Sequence, residues 1–405
     1  LNAEDHALPV EASTSNLLAG WRDEPTILLS NFAANAIAYL PALTLPWTIG
    51  ALMEHQGLSG SMAGLIASAE LGCIAAVTAL CGTFIDRFDR LRVVILGAVL
   101  SLIATLMLAV MPGEALFVAM PLSGVGFGIC CAAGNAITAS SRDPARLSAR
   151  SWILMMPWQM LIWAAAPWIG AHGAVSGLFA LQAAAVGVML LLLIAVRHAS
   201  TATGPARVLT RLKDRPRLAA FPLVLIILCT VAFWLRDATT WSLVERRATA
   251  LDVDGATLSA VLSIGTVIGL AGPAATIWLG LRFGRLWTVV GSQILVGLVF
   301  MAIALVASPV LYCVAFLFWS GTSIFAWTYI IEMTIALDAS GRTTAICSGL
   351  VFGAGAFGPL IGGLILDSGS VSALPVVIGC LSVATIGFAQ AVARRISAPS
   401  VPQAE

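Results

Sequence analysis

The sequence predicts an all-α integral membrane protein whose twelve transmembrane helices form two pseudo-symmetric six-helix bundles. Three observations carry this reading: the chain is too apolar for water, its apolar runs have bilayer length, and parts of its first half recur in its second. Hydrophobic residues make up 59% of the chain and charged residues 10%, with a mean hydropathy of +0.97. A soluble core cannot enclose that much apolar surface, so lipid must solvate most of it.

A hydrocarbon layer of ~30 Å needs about 20 apolar residues per crossing helix. Runs of this kind fall at 26–50, 61–85, 92–111, 115–139, 150–170, 174–196, 219–243, 257–281, 286–307, 309–337, 343–366 and 371–393. The longest polar stretch between them, 198–218, carries Gly204, Pro205, Lys213, Asp214, Arg215 and Pro216 and reads as a cytoplasmic linker. It divides a bundle at 26–197 from one at 219–395, with polar tails at 1–25 and 396–405. Glu4, Asp5 and Glu11 in the first tail, with no basic start before an apolar stretch, predict that it is not a cleavable signal peptide.

Basic residues stay on the cytoplasmic side of a membrane. With the N-terminus inside, 18 of the 21 Lys and Arg residues fall in cytoplasmic segments, Arg246 and Arg247 lie outside, and Arg236 is left within the seventh span. This asymmetry predicts an even number of spans, both termini cytoplasmic and a multi-pass location in the cell's inner (plasma) membrane. The duplication is visible in Arg87-Phe88-Asp89-Arg90-Leu91 and Arg282-Phe283-Gly284-Arg285-Leu286, and again in Ala-x-x-Pro-x-Ile-Gly at Ala164–Gly170 and Ala356–Gly362.

The segment from Gly82 through Asp86, Arg87 and Arg90 resembles the G-x-x-x-D-R-x-G-R-R signature of the major facilitator superfamily, with Asp89 in place of a glycine and Leu91 in place of an arginine. With twelve spans, a central linker and a repeat, the resemblance extends over nearly the whole chain. It implies a secondary transporter working by alternating access, and a cytoplasmic gate at Gly82, Asp86, Arg87 and Arg90. Arg282, Arg285, Glu332 and Arg342 would serve the second half. The second copy has Leu281 where the first has Asp86, which predicts a stronger lock on the first half. The arginine that many members carry early in the fourth span is missing from Pro121–Gly128. The antiporter element G-P-x-x-G-G is degenerate at Ala166–Ala171 but complete at Gly358–Gly363 in the eleventh span.

Ionisable side chains inside a bilayer cost about 2.5–3.5 kcal/mol each on insertion scales, so the four present here are candidates. Glu70 and Arg236 lie about 13 Å and 10 Å from the outer ends of their spans at ~1.5 Å per residue, which suggests a pair broken by protonation or substrate. A permanent structural pair, or neutralisation of Arg236 by Asp237, is the alternative. Glu332, near the cytoplasmic end of the tenth span, reads as a salt-bridging residue of the inner gate.

The first and tenth spans line the cavity in the resembled family. On the first, Asn31, Asn35 and Tyr39 share a face at i, i+4, i+8, and on the tenth Ser320, Ser323 and Trp327 share one at i, i+3, i+7. Gln159 and Trp163 form a similar pair on the fifth. These polar faces must meet protein or water, either as substrate contacts or as bonds between helices. Trp47, Trp152, Trp168, Trp241, Trp278 and Trp287 fall near span ends, where an interfacial belt is the default. Trp234, Trp319 and Trp327 lie deeper and, with Arg236, would suit an organic anion.

Other classes are poorly supported. The eight cysteines have neither CxxC spacing nor nearby histidines, the four histidines sit in tails and loops, and neither a metal nor a cofactor is expected. The only lysine, Lys213, follows no glycine-rich loop, so ATP hydrolysis is excluded. A net charge of +1 with no basic stripe excludes a nucleic-acid partner. No converging nucleophile and base suggest an enzyme. The expectation is a monomer in the lipid bilayer that moves a small-molecule solute with coupling to protons. Proton antiport of drugs or metabolites and a non-transporting membrane sensor are the alternatives.

Overall fold

The computed structural model describes residues 11–82, 84–85, 88–111, 113, 115–141, 144–199, 220–338, 342–370 and 373–397. Every regular element among them is a helix. Eleven stretches of the described residues are long and apolar enough to cross a membrane. Ten are single crossings: the first at Pro25–Gln56, second Gly60–Gly82, third Arg90–Val110, fourth Leu116–Ser140, seventh Phe221–Ser242, eighth Gly255–Leu279, ninth Arg285–Leu305, tenth Pro309–Leu337, eleventh Ile346–Ser368 and twelfth Ala373–Ile396.

The remaining stretch, Arg146–Arg197, has 52 residues and would measure roughly 78 Å as one helix, far beyond a ~30 Å layer. It reverses at Ala174, where φ is 53° and ψ is −151°. Ile169 lies against Gly177 and Leu178 against Gly170, pairs that a straight helix would hold about 12 Å apart. The two arms are the fifth and sixth spans, which brings the total to the predicted twelve.

Each half packs as a bundle. In the first, the fourth span lies against both the second and the third; in the second, the twelfth lies against both the seventh and the ninth. The linker expected at 198–218 falls almost wholly outside the described residues.

Three crossings are broken, at Tyr39 in the first span, Leu270 in the eighth and Ala356–Phe357 in the eleventh. Proline follows each break within three residues, as Pro41, Pro273 and Pro359. Its missing N–H leaves a carbonyl without a helical partner, and its ring opposes the preceding turn.

The second and eleventh spans cross with almost no space between backbones, joining the two halves. A Cβ on Gly64 would strike the Pro359 carbonyl, and one on Gly363 would strike that of Gly60. Small residues at such a crossing let helices approach closely. Gly64→Leu should force this crossing apart at a cost of about 1–3 kcal/mol. The separation between spin labels at positions 59 and 368 checks it: a longer mean distance is expected, and an unchanged distribution would refute this role for Gly64.

Candidate functional site

The seventh and tenth spans present matching faces. Trp234, Asp237 and Trp241 recur at i, i+3, i+7, and Trp319, Ser323 and Trp327 at i, i+4, i+8, so each trio shares one side of its helix. On the tenth span this side lies away from the exposed Leu311, Val314 and Phe318. The trios meet as a three-rung ladder. Trp241 stacks on Trp319 with ring centroids 5.2 Å apart and planes 8° from parallel. In the middle, Asp237 Oδ2 accepts from Trp319 Nε1 at 3.1 Å and from Ser323 Oγ at 3.4 Å. Trp234 meets Trp327 edge-on at 5.3 Å.

Arg236, one residue along and about 100° around the helix, faces the other way. It is fully buried, with its guanidinium carbon 4.5 Å from the Phe300 ring centroid and 5.0 Å from that of Phe233. Nη1 reaches Ser382 Oγ at 3.5 Å, while Nε and Nη2 have no hydrogen-bond partner among the described residues. The guanidinium therefore sits inside the second bundle, among the seventh, ninth and twelfth spans.

The Glu70–Arg236 pair suggested by equal depth is not formed. Glu70 is buried against the fourth span, where Ser123 Oγ donates to its Oε1 at 2.7 Å. Depth along an axis says nothing about direction around it, and the two side chains look into different bundles.

Tryptophans and backbone carbonyls join the halves above the ladder. Trp241 Nε1 donates to the Ala42 carbonyl at 2.8 Å. Pro46, four residues on, has no N–H to occupy that carbonyl, so the first span leaves it free for a partner in the other half. Trp163 Nε1 donates to the Leu43 carbonyl at 3.2 Å, and Ser259 Oγ donates to the Trp163 carbonyl at 2.6 Å. Gln159 Nε2 donates to Thr266 Oγ1 at 3.0 Å. Trp163 and Trp47 lie 5.5 Å and 6.4 Å from Trp241, ring to ring. Trp47 and Trp241 are thus buried bridging residues, which corrects the interfacial-belt reading for both. Trp168, Trp278 and Trp287 are well exposed.

The face that carries the loop between the first and second spans is clasped by charge. Arg246 bonds Glu54 Oε1 at 2.7 Å and also the Gly50 carbonyl, and Asp367 accepts from the Gly60 and Ser61 amides at 2.7 and 2.8 Å. A cleft of about 200 Å³ lies beside this clasp, lined by residues of both halves including Trp47, Glu54, His55, Glu245 and Thr249. Burial raises the Glu245 pKa, an effect opposed by Arg246 and reinforced by Glu54. Opening the cleft would hydrate Glu245 and return its pKa towards the ordinary value, so the closed form binds the proton more readily. Acid on this face should then favour closure and rising pH should favour opening. Reaction of a thiol placed by Ala51→Cys, at a cleft-lining position that is buried in the closed form, should accelerate with pH beyond the change due to thiolate alone. Loss of that extra dependence in Glu245→Gln checks the assignment.

Among the other expected residues, Asn31 is buried and ties the first span to the fourth, its Nδ2 donating to the Gly134 carbonyl and to Thr138 Oγ1, both at 2.8 Å. Asn35 Nδ2 donates to Asn31 Oδ1 at 3.2 Å. The Asn31 amide thus makes helix-to-helix bonds. Tyr39, at the break in the first span, packs on Trp152 at 5.3 Å and on Phe352 of the other half at 4.9 Å. Among the described residues no group of three His, Cys, Asp or Glu side chains could hold a metal ion.

A family model described as the Major Facilitator Superfamily matches residues 27–346. The chain belongs to the Major Facilitator Superfamily. Its fold is similar to several solved transporters. A D-xylose–proton symporter has a TM-score of 0.70 at 16% identity, with 93% of this chain and 99% of that one covered. A peptide transporter POT in complex with sulfate has a TM-score of 0.71 at 15% identity, covering 93% and 95%. A POT family transporter in complex with 5-aminolevulinic acid has a TM-score of 0.71 at 12% identity, covering 93% and 97%. No curated protein matches the chain.

Of the superfamily signature, Gly82 ends the second span and Arg90 opens the third. Asp86, Arg87 and the side chain of Arg342 lie outside what the structure describes. Asp89, in place of the signature's glycine, caps the third span by accepting from the Leu91 and Arg92 amides at 3.0 and 3.3 Å. In the second half Arg285 holds Glu332 Oε1 through Nε at 3.1 Å and Nη2 at 2.9 Å. Arg282 lies over Trp278 at 5.3 Å.

Proposed function

We propose that the protein is a secondary carrier that moves a small organic solute by alternating access and couples it to protons. The observation that carries the reading is Asp237: a carboxylate within a crossing helix, set in a ladder of indoles, hydrogen-bonded by neutral donors and in no salt bridge among the described residues. Intramembrane carboxylates held in this way are costly and mark solute or ion pathways. Asp237 is assigned to the solute and Glu70 to the proton.

Loop charge supports putting the first-loop face outside the cell. The clasp at Arg246–Glu54, the Asp367 cap and the Trp241 roof would then make this the outward-closed form. Outward opening separates the second span from the eleventh and Trp241 from Ala42, and the proline breaks at Tyr39, Leu270 and Ala356–Phe357 supply the hinges. The D-xylose–proton symporter of similar fold supports protons as the coupling ion. The organic anion suggested by depth loses its support because Arg236 faces into the second bundle.

The test uses the protein reconstituted in vesicles that enclose a pH dye and are challenged with a panel of cationic, neutral and anionic solutes. Solute-dependent proton movement, absent from protein-free vesicles, is expected. Solute binding with no flux of solute or proton would overturn the reading in favour of a sensor.

A further inference from the structure

The geometry points to an organic cation as the cargo: a protonated amine joined to a flat ring, with the amine on Asp237 and the ring among the indoles. This rests on the carrier reading above and names the chemistry of the same site.

The sign of the site comes first. Asp237 is only 8% exposed, yet it makes no salt bridge among the described residues, because the adjacent arginine is turned away by the helical advance of one residue. Both of its hydrogen bonds arrive at Oδ2, and Oδ1 accepts from no described residue. A carboxylate oxygen with no donor in an apolar, aromatic setting is a strong acceptor for an N–H⁺ group, and such bonds are about twice as strong as neutral ones. An anionic cargo would meet Asp237 at close range and be repelled.

The shape comes from the indoles. Trp319 holds Asp237 through its ring nitrogen and stacks on Trp241, so its orientation is fixed from two directions. Trp234 and Trp327 close the other side edge-on, and Trp234 Nε1 is buried without a partner among the described residues. Tryptophan faces attract cations and flat rings together, and the unpaired indole N–H would suit a hydroxyl or ether oxygen on the ring. The ladder thus offers one acceptor for charge, π-faces for a ring and one free donor.

The experiment measures calorimetric binding to the full chain in lipid nanodiscs, using three probes of similar size: 2-phenylethylamine, 2-phenylethanol and 3-phenylpropionate. The amine should bind at least ~10-fold more tightly than the alcohol, as expected for one charge-assisted bond of about 1.5–3 kcal/mol, and the acid should not bind. Asp237→Asn should abolish the preference for the amine, and Asp237→Glu should retain part of it. Replacing the phenyl ring by an open hexyl chain should weaken binding roughly 3- to 10-fold through loss of ring contacts. Tighter binding of 3-phenylpropionate, or an amine preference that survives Asp237→Asn, would overturn the proposal. Should Asp237→Asn fail to fold, competition among the same three probes for the wild-type protein decides the sign of the cargo equally well. Proton-coupled flux of anions or sugars without amine binding would reject the cation and keep the carrier. Amine binding without any flux would do the reverse.

Discussion

Asp237→Asn is expected to reduce cargo binding by about 10- to 100-fold, the equivalent of one hydrogen bond to a charged group, while the protein stays folded. Asparagine has the same shape and its Oδ1 can accept from Trp319 Nε1 and Ser323 Oγ, so the ladder should keep its geometry and lose only its charge. Thermal unfolding and calorimetric titration of the same preparation separate the two effects. Arg236→Met provides the contrast. The guanidinium packs between Phe233 and Phe300 with two nitrogens unpaired, so its removal should change stability and leave the charge preference of binding as it was. A marked tightening of amine binding in Arg236→Met, as loss of a positive charge from the cargo site would produce, would place the arginine back in that site.

Glu70→Gln is the second large effect. Glu70 is buried at the contact of the second and fourth spans, with Ser123 as its donor at 2.7 Å. Glutamine can accept the same bond but cannot exchange a proton. Solute exchange at equal concentrations, which needs no net proton movement, should continue in Glu70→Gln. Uptake driven by a pH gradient should fall to the rate seen without a gradient, and its pH profile should flatten. An unchanged profile would remove Glu70 from the coupling step.

Much of the architecture was legible because lipid imposes a simple length rule. Twelve runs of about 20 apolar residues, a charge asymmetry between loops and a repeated Arg-Phe-x-Arg-Leu are all one-dimensional signals. The fifth and sixth spans are separable in the sequence, since the polar break near His172–Gly173 precedes the reversal at Ala174. The site was legible only in part. Glu70, Arg236 and Asp237 stand out because charge in an apolar run is rare, but their directions are not visible from depth alone. The i, i+3, i+7 spacing of Trp234, Asp237 and Trp241 is present in the sequence and sets Asp237, rather than Arg236, beside the tryptophans. Trp241 lies next to a span end and so reads as interfacial. Its burial depends on Pro46 freeing the Ala42 carbonyl in the other half, a long-range pairing that no local pattern reports. Asn31 shows the opposite case: its face is identifiable, and that face meets Gly134 and Thr138 of the fourth span.

The most direct test of proton-coupled carriage is steady-state accumulation under an imposed pH gradient, in vesicles, of the solute that the screen selects. The wild type is expected to concentrate the solute above its external level, Glu70→Gln only to equilibrate it, and Asp237→Asn to do neither at low solute. Equal accumulation by the wild type and Glu70→Gln, or equilibration by the wild type whatever the gradient, would contradict proton coupling through Glu70.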